Sequence, residues 1–237
     1  MRTELHPAYV LHQRAYRETS LLLEVFSSQY GRTGLIARGV KRGGSRQQAI
    51  PQAFTPLLVS WSGAGELPSL SQSEPAGASI GLGGSRLISG LYLNELLLRL
   101  LPRHEPHGEL FEDYGRALHG LAGAENPEPS LRIFEKQMLS ALGYGLQLDQ
   151  PVEGVGTIET DHIYHYQADR GPWLHRPERG RTLLVRGATL QALKLQRLDD
   201  PETLREAKRL MRFVLNHHLG AVTIHSRELF KSPFLAS

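Results

Sequence analysis

The sequence contains no cysteine, so disulfide bridges and zinc sites built from thiolates are both excluded. It has no apolar run close to the roughly 18 residues that a membrane-spanning helix needs, and the opening stretch MRTELHPAYV has no signal-peptide core. At 237 residues the chain can still bury a sizeable core. We therefore expect a soluble cytoplasmic protein without membrane contact, made of one large domain or two small ones.

The net charge is low, at +3, but it is unevenly distributed. The first 46 residues carry eight lysines and arginines against three glutamates, a balance of +5 that leaves −2 for the rest of the chain. Such asymmetry is a hint of nucleic-acid or membrane contact. It falls on the segment that contains a glycine-rich basic loop, GLIARGVKRGGSRQQ at 34–48.

Five short apolar segments in the first 75 residues are typical of β-strands, because Gly, Pro, Ser or charged residues bound each of them. They read AYVLHQ, SLLLEVFS, TGLIARGV, FTPLLVSW and ELPSLSQSE. The longest connection lies between the third and the fourth. This pattern favours a small barrel such as the five-stranded OB-fold, with an SH3-like barrel as the alternative.

A glycine-rich link, AGASIGLGGS at 76–85, ends the strand pattern, and helical patterns follow it. We predict helices at 86–101, 107–122, 130–143, 188–197 and 201–219, with Ser130 and Asp200 as N-caps. The apolar first helix should be the centre of a bundle. A hairpin turning at 168–171 indicates a small insert at about 146–186. The predicted fold class is α+β, with an N-terminal five-stranded OB-fold barrel at 1–80 and an α-helical C-terminal domain at 81–237 that carries this β-hairpin insert.

Two basic features could bind phosphate groups. The loop carries Arg38, Lys41, Arg42 and Arg46 among glycines, and guanidinium groups neutralise and hydrogen-bond backbone oxygens. The late helix carries Arg205, Lys208, Arg209 and Arg212, whose spacing puts them on one face. Unpaired bases could stack on outward-facing rings of the barrel, from the set Tyr9, Tyr16, Phe26, Tyr30, Phe54 and Trp61. A solvated loop, a solvated helix face and core rings are the alternatives.

Signals for an enzyme are weak. Gly77 to Gly81 match G-x-S-x-G around Ser79, but a nucleophile elbow needs a strand before the serine and a helix directly after it. No G-x-x-x-x-G-K-[ST] motif occurs. The histidine pairs have no obviously spaced third ligand. We therefore expect a protein that is not an enzyme and needs no metal or other cofactor.

Several separated stretches together resemble the bacterial recombination mediator family RecO. They are AYVLHQRAYRETSLLLEVFSSQYGR, FTPLLVSWSGAGEL, GLYLNELLLRLLPRHEP, PEPSLRIFEKQMLSALGYG and SRELFKS, in order along nearly the whole chain. The resemblance implies a DNA repair and recombination mediator that binds single- and double-stranded DNA and anneals complementary strands without nucleotide. It also implies binding of the acidic tail of the single-stranded DNA-binding protein SSB, and work with RecR and RecF in loading recombinase.

The resemblance extends the DNA-contact set of the barrel to Arg14 and Arg17, beside Arg38, Lys41, Arg42 and Arg46. It implies an SSB-tail groove around Tyr114, Arg116, Leu131, Arg132 and Phe134, although Leu131 and Phe134 also have the spacing of helical core residues. Some members of the family hold zinc through four cysteines. This chain has none, so packing around Tyr164, Tyr166 and Trp173 should hold the insert together.

Two alternatives stay open at the level of sequence. One is a helical protein-interaction adaptor whose barrel is only structural and has no direct role with DNA. The other is a hydrolase that uses Ser79 or a histidine-bound metal. Weak salt dependence of DNA binding would favour the adaptor, because phosphate contacts make affinity fall steeply with salt.

Overall fold

The computed structural model describes residues 3–39, 51–65, 67–154 and 156–230. The chain divides into two compact units. The first comprises Met1–Gly123 together with the segment from Ile224, and the second comprises Ala124–Thr223. The strands and the helices were predicted to separate at residue 80, whereas the packing places the first two helices with the barrel. Among the described residues, no helix combines the length and the apolar character needed to span a membrane.

Five strands of the first unit form a closed barrel in the order β1-β2-β3-β5-β4. They are β1 (His6–Tyr16), β2 (Ser20–Ser27), β3 (Gly31–Ala37), β4 (Leu57–Ser62) and β5 (Ser69–Pro75). A parallel pairing of Ile36 with Ser69 joins β3 to β5, and antiparallel pairing of β1 with β4 completes the closure. The predicted OB-fold barrel is therefore confirmed. Its interior is filled by alternating apolar side chains that include Val10, Leu23, Val25, Leu35 and Val59.

The helices α1 (Gly84–Leu100) and α2 (Gly108–Gly123) pack on this barrel. On α1, the side-chain nitrogen of Asn94 donates a 2.9 Å hydrogen bond to the carbonyl of Leu11 in β1, and the hydroxyl of Tyr114 donates to the side-chain oxygen of Asn94. The rings of Phe111 and Tyr114 lie 5.3 and 5.1 Å from that of Tyr9. The prediction that α1 is the centre of a helical bundle is wrong, because one of its faces covers the barrel and Leu91 is exposed.

A short last helix, α6 (Ser226–Leu229), returns to the first unit and docks on α1. The carboxylate of Glu95 accepts hydrogen bonds from the backbone amides of His225 and Ser226, at 2.9 and 2.8 Å, and from the Ser226 hydroxyl at 2.7 Å. Burial raises the pKa of Glu95, but these hydrogen bonds outweigh it and hold the pKa below its ordinary value. The N-E-L-L stretch of α1 therefore holds the start of the S-R-E-L-F stretch in place through Glu95.

Gly31, at the start of β3, has no room for a side chain. Its φ is +64°, and a Cβ there would lie 2.0 Å from the carbonyl oxygen of Glu105 in the connection between α1 and α2. We expect Gly31→Ala to lower the free energy of unfolding by about 2–5 kcal/mol, from left-handed strain and overpacking together. Urea unfolding would measure the loss.

Gly84 provides the matched control for this prediction. Its φ is +53°, and a Cβ there would meet no atom within 4 Å, so Gly84→Ala carries the backbone strain without the clash. We expect a loss of about 1–2 kcal/mol from that strain alone. Equal losses for the two variants would contradict the close approach of the Glu105 backbone to β3.

The second unit combines three helices with a small antiparallel sheet. The helices are α3 (Glu128–Ala141), α4 (Gly187–Leu195) and α5 (Pro201–Leu219), and the strands β6 (Ile163–Gln167), β7 (Gly171–Trp173) and β8 (Leu183–Arg186) pair in the order β7-β6-β8. The predicted hairpin is therefore confirmed as β6 and β7. Tyr164 and Tyr166 are each 1% exposed and form part of the core, as expected for an insert held by packing.

Local signals set the ends of these helices. At the start of α5 the Asp200 carboxylate accepts a 2.7 Å hydrogen bond from the amide of Thr203, which confirms the predicted N-cap. The predicted cap at Ser130 is wrong, because α3 begins at Glu128. There the Asn126 side chain accepts a 3.1 Å hydrogen bond from the amide of Glu128. The N-cap position itself is Pro127, and Asn126 lies one residue before it.

Candidate nucleic-acid interface

The β1–β2 hairpin extends one end of the barrel. Pairing of β1 with β4 covers only His6–Ala8, whereas pairing with β2 runs on to Tyr16 opposite Ser20. In this extension the side chain of Arg14 is exposed, and Arg17 forms the exposed turn with a φ of +49°. The hairpin therefore presents two of the predicted DNA-contact arginines to solvent.

An open concavity of about 590 Å³ lies where this turn meets the end of β3. Arg17 lines it from the β1–β2 turn and Arg38 from the position after β3, together with Tyr16 and Ile36. The guanidinium carbon of Arg17 lies 5.2 Å from the centre of the Tyr16 ring. Two arginines beside a half-exposed ring can neutralise phosphates and stack a base at the same place.

A smaller groove of about 210 Å³ lies beside it on the β1–β2 surface. Arg14 lines this groove with His12, Glu24 and Arg103, and Arg14 forms no ion pair with any residue in the described ranges. Glu24 pairs with Arg103 and, at 3.4 Å, with Arg32, so those two cations are largely committed within the protein. Arg14 is therefore the cation of this groove whose charge is available to a ligand.

Arg103 is a residue that sequence reasoning missed. It lies after α1, in the stretch LPRHEP, and reaches the groove because that connection forms a bridge with β3 at Arg32. No local pattern distinguishes it from any other loop arginine. The signal that could have found it is Glu24, a carboxylate in the middle of an apolar strand that needs a cationic partner.

The rest of the predicted barrel set is partly outside the described structure. Lys41, Arg42 and Arg46 lie in residues 40–50, which are not among the described residues, so their contribution stays a prediction. Of the six rings considered for stacking, Tyr9, Phe26, Phe54 and Trp61 are buried and Tyr30 packs against Trp61. Tyr16 is the ring of that set that lines the concavity.

The second basic set lies on α5 in the other unit. Arg205, Arg209 and Arg212 are exposed on one face of the helix, as their spacing predicts. Lys208 is half-buried and forms a 2.6 Å ion pair with Glu128 of α3. The exposed face of α5 therefore offers three arginines, and Lys208 contributes to packing between helices.

The residues predicted to bind the SSB tail are divided between the two units. Tyr114 belongs to the first unit and is fully buried, and its neighbour Arg116 is exposed and pairs with Asp113. Leu131 and Phe134 are core residues of the second unit. Arg132 is 3% exposed and forms a 2.9 Å ion pair with Glu135, which is fully buried. This burial favours a structural role for four of the five residues and leaves Arg116 accessible.

The enzyme alternatives find no support in the geometry. Ser79 is exposed in a segment without helix or strand, and α1 begins only at Gly84, so the strand and helix of a nucleophile elbow do not flank it. Across residues 3–39, 51–65, 67–154 and 156–230, no three His, Asp or Glu side chains are grouped as metal ligands.

Comparison with known proteins identifies the family. The N-terminal model of recombination protein O matches residues 1–78, and the C-terminal model matches residues 83–228. DNA repair protein RecO of Methylococcus capsulatus is 48% identical over 231 residues, which cover 98% of this chain and 94% of that protein. RecO of Nitrosococcus oceani is also 48% identical with the same coverage, and RecO of Dechloromonas aromatica is 41% identical over 233 residues, 97% of this chain and 96% of that protein. The chain therefore belongs to the recombination protein O family of DNA repair proteins.

Proposed function

We propose that this protein is a non-enzymatic mediator of DNA repair and homologous recombination that binds single- and double-stranded DNA and anneals complementary strands. The observation that carries the proposal is the concavity at the end of the barrel, which Arg17 of the β1–β2 turn and Arg38 after β3 line together with Tyr16. Arg14 extends this surface along the hairpin. Family membership supports it, since relatives of 41–48% identity are DNA repair proteins.

The chemistry of this surface suits a ligand that is recognised without regard to sequence. Guanidinium groups bind phosphate oxygens through charge and paired hydrogen bonds, and every base offers a face to a ring. The concavity is open rather than a deep slot, so a strand can pass through it. A binder of this kind lowers the repulsion between two phosphate backbones, which is what annealing requires.

The proposal includes partners that the family resemblance implies. The acidic tail of SSB would bind near Arg116, whose exposed guanidinium could pair with a carboxylate in place of Asp113. RecR and RecF would join the protein when recombinase is loaded. These contacts would bring the annealing surface to strands that SSB already covers, in the cytoplasm where that DNA lies.

The test is annealing of two complementary strands coated with SSB, without nucleotide or added metal. We expect the protein to accelerate annealing with intact SSB and to lose most of that acceleration when SSB lacks its acidic tail. Arg116→Glu should have the same effect as removal of the tail. No acceleration with either form of SSB, despite folded protein, would contradict the proposal and favour the helical adaptor.

A further inference from the structure

The second unit contains an open cavity of about 900 Å³ that none of the predicted sites uses. Its walls are the β6–β7 turn, the loop at 175–181 that follows β7, and the end of α5 at Phe213, Asn216 and His217. The volume lies in the range of about 300–1,000 Å³ that pockets for small ligands occupy. The cavity is therefore large enough for a defined group of a ligand.

The loop that forms one wall is held in place at both ends. At its start the Glu153 carboxylate accepts the backbone amide of Leu174 at 3.0 Å. Near its end the side-chain nitrogen of Gln167 donates a 2.6 Å hydrogen bond to the carbonyl of Arg179. The next residue is Gly180, where φ is +94° and a Cβ would lie 2.4 Å from that nitrogen. These contacts fix the loop before any ligand binds, which lowers the ordering cost of binding.

The lining of the cavity contains more cationic side chains than anionic ones. Four exposed arginines face three carboxylates, and one of these, Glu153, is already engaged by the loop backbone. Within the described ranges none of the four arginines forms an ion pair, and they are Arg170, Arg176, Arg179 and Arg181. Asp169 and Glu178 reduce the positive charge of the lining but do not neutralise it. A ligand with distributed negative charge suits this lining.

Two aromatic side chains lie beside these arginines. Trp173 and Phe213 are both half-buried and line the cavity from β7 and from α5. On α5, Arg209 and Arg212 precede Asn216 on the same exposed face, so cationic charge continues from the cavity along the helix. Arginines interleaved with rings, in a cavity that opens onto a cationic helix face, are the combination that binds single-stranded nucleic acid.

We propose that this cavity, with the arginine face of α5, is a second binding site for single-stranded DNA that takes one or two nucleotides. Phosphates would pair with Arg176, Arg179 and Arg181, and a base would stack on Trp173 or Phe213. The proposal rests on the proposed function, and it adds a strand-binding site in a different unit from the barrel end. A protein with two such sites can hold two strands at once, so annealing need not wait for a second protein molecule.

The test uses Trp173 as the reporter. The chain has two tryptophans, so Trp61→Phe leaves Trp173 as the only one. Emission is followed during titration with a twenty-residue thymidine oligonucleotide, while the anisotropy of a labelled copy reports total DNA binding. We expect saturable quenching of Trp173. The variant Arg176→Ser/Arg179→Ser/Arg181→Ser should lose the quenching and flatten the slope of log affinity against log salt by about 2, since each contact contributes about 0.7.

Two control variants distinguish DNA binding at this cavity from binding at the barrel and from a general effect of lost positive charge. Arg14→Gln/Arg17→Gln/Arg38→Gln should weaken total binding but retain the quenching. Loss of three cations outside both sites, Arg99→Ser/Lys194→Ser/Arg197→Ser, removes the same formal charge and should change neither readout. DNA binding by the variant Arg176→Ser/Arg179→Ser/Arg181→Ser is also measured by anisotropy with both tryptophans present. A folding defect caused by Trp61→Phe then cannot decide the outcome.

The contrary outcomes are distinct. The oligonucleotide could bind with normal affinity while the Trp173 emission stays unchanged and the three arginine-to-serine substitutions have no effect. That result would overturn the second site and leave the proposed function intact. No anisotropy change at all would overturn the proposed function and this site with it. Quenching by an acidic peptide ending in phenylalanine but not by the oligonucleotide would make the cavity a peptide site. Equally tight quenching by thymidine 5′-monophosphate would make it a site for free nucleotides.

Discussion

Replacing Arg14, Arg17 and Arg38 together with glutamine is expected to lower the affinity for single-stranded DNA about 100-fold near 0.1 M salt. The three side chains are exposed and line adjacent concavities at one end of the barrel. Each phosphate contact on a single strand contributes about 0.7 to the slope of log affinity against log salt, so the slope should flatten by about 2. Fluorescence anisotropy over a series of salt concentrations measures both quantities.

The control for this prediction removes the same charge elsewhere. Arg99, Lys194 and Arg197 are exposed and lie outside the concavities, so replacing all three with glutamine should leave the slope unchanged. If the control variant weakened binding as much as the barrel variant, the effect would come from net charge alone. The barrel end would then have no specific role in DNA binding.

Replacing Arg132 with methionine is expected to lower the free energy of unfolding by about 3–5 kcal/mol, because the buried carboxylate of Glu135 would lose its ion pair with Arg132. The two side chains are 3% and 0% exposed, and their closest nitrogen and oxygen atoms lie 2.9 Å apart. The double variant Arg132→Met/Glu135→Leu should regain most of the loss, since apolar pairs often replace buried ion pairs well. Urea unfolding followed by circular dichroism measures both.

The surface arginine Arg116, which pairs with Asp113, provides the comparison. This pair has the same three-residue spacing on a helix, but Arg116 is 68% exposed, so Arg116→Met should cost only about 0–1 kcal/mol. The contrast matters for studies of the SSB tail, because lost binding in Arg132→Met could reflect unfolding. A stable Arg132→Met protein that fails to bind the tail would instead contradict the structural role of Arg132.

Signals that act over a few residues were enough to predict much of the fold. The second strand was predicted at its observed bounds, Ser20–Ser27, because turn residues flank a compact apolar run. The last long helix begins after the cap at Asp200 and ends before Gly220, where φ is +59°. In both cases the residues that define the element are neighbours in sequence.

Features that depend on distant contacts could not be predicted in the same way. The apolar pattern of α1 suggested a helix surrounded by other helices, but the deciding partner is Leu11, 83 positions away in β1. Asn94 was the informative residue, because a buried amide in an apolar helix needs a polar partner. Phe134 illustrates the reverse difficulty, since its helical spacing fitted both a core and a peptide groove, and burial favours the core.

The docking of α6 on α1 also affects the order in which the chain can complete its fold. The first unit begins at the N-terminus, yet the amides and hydroxyl that Glu95 binds belong to His225 and Ser226. During synthesis, residues 124–223 leave the ribosome before those partners do, because translation proceeds from the N-terminus. The contact between Glu95 and α6 therefore forms only after the whole second unit has been made. The unit that emerges first gains one of its own packing contacts last.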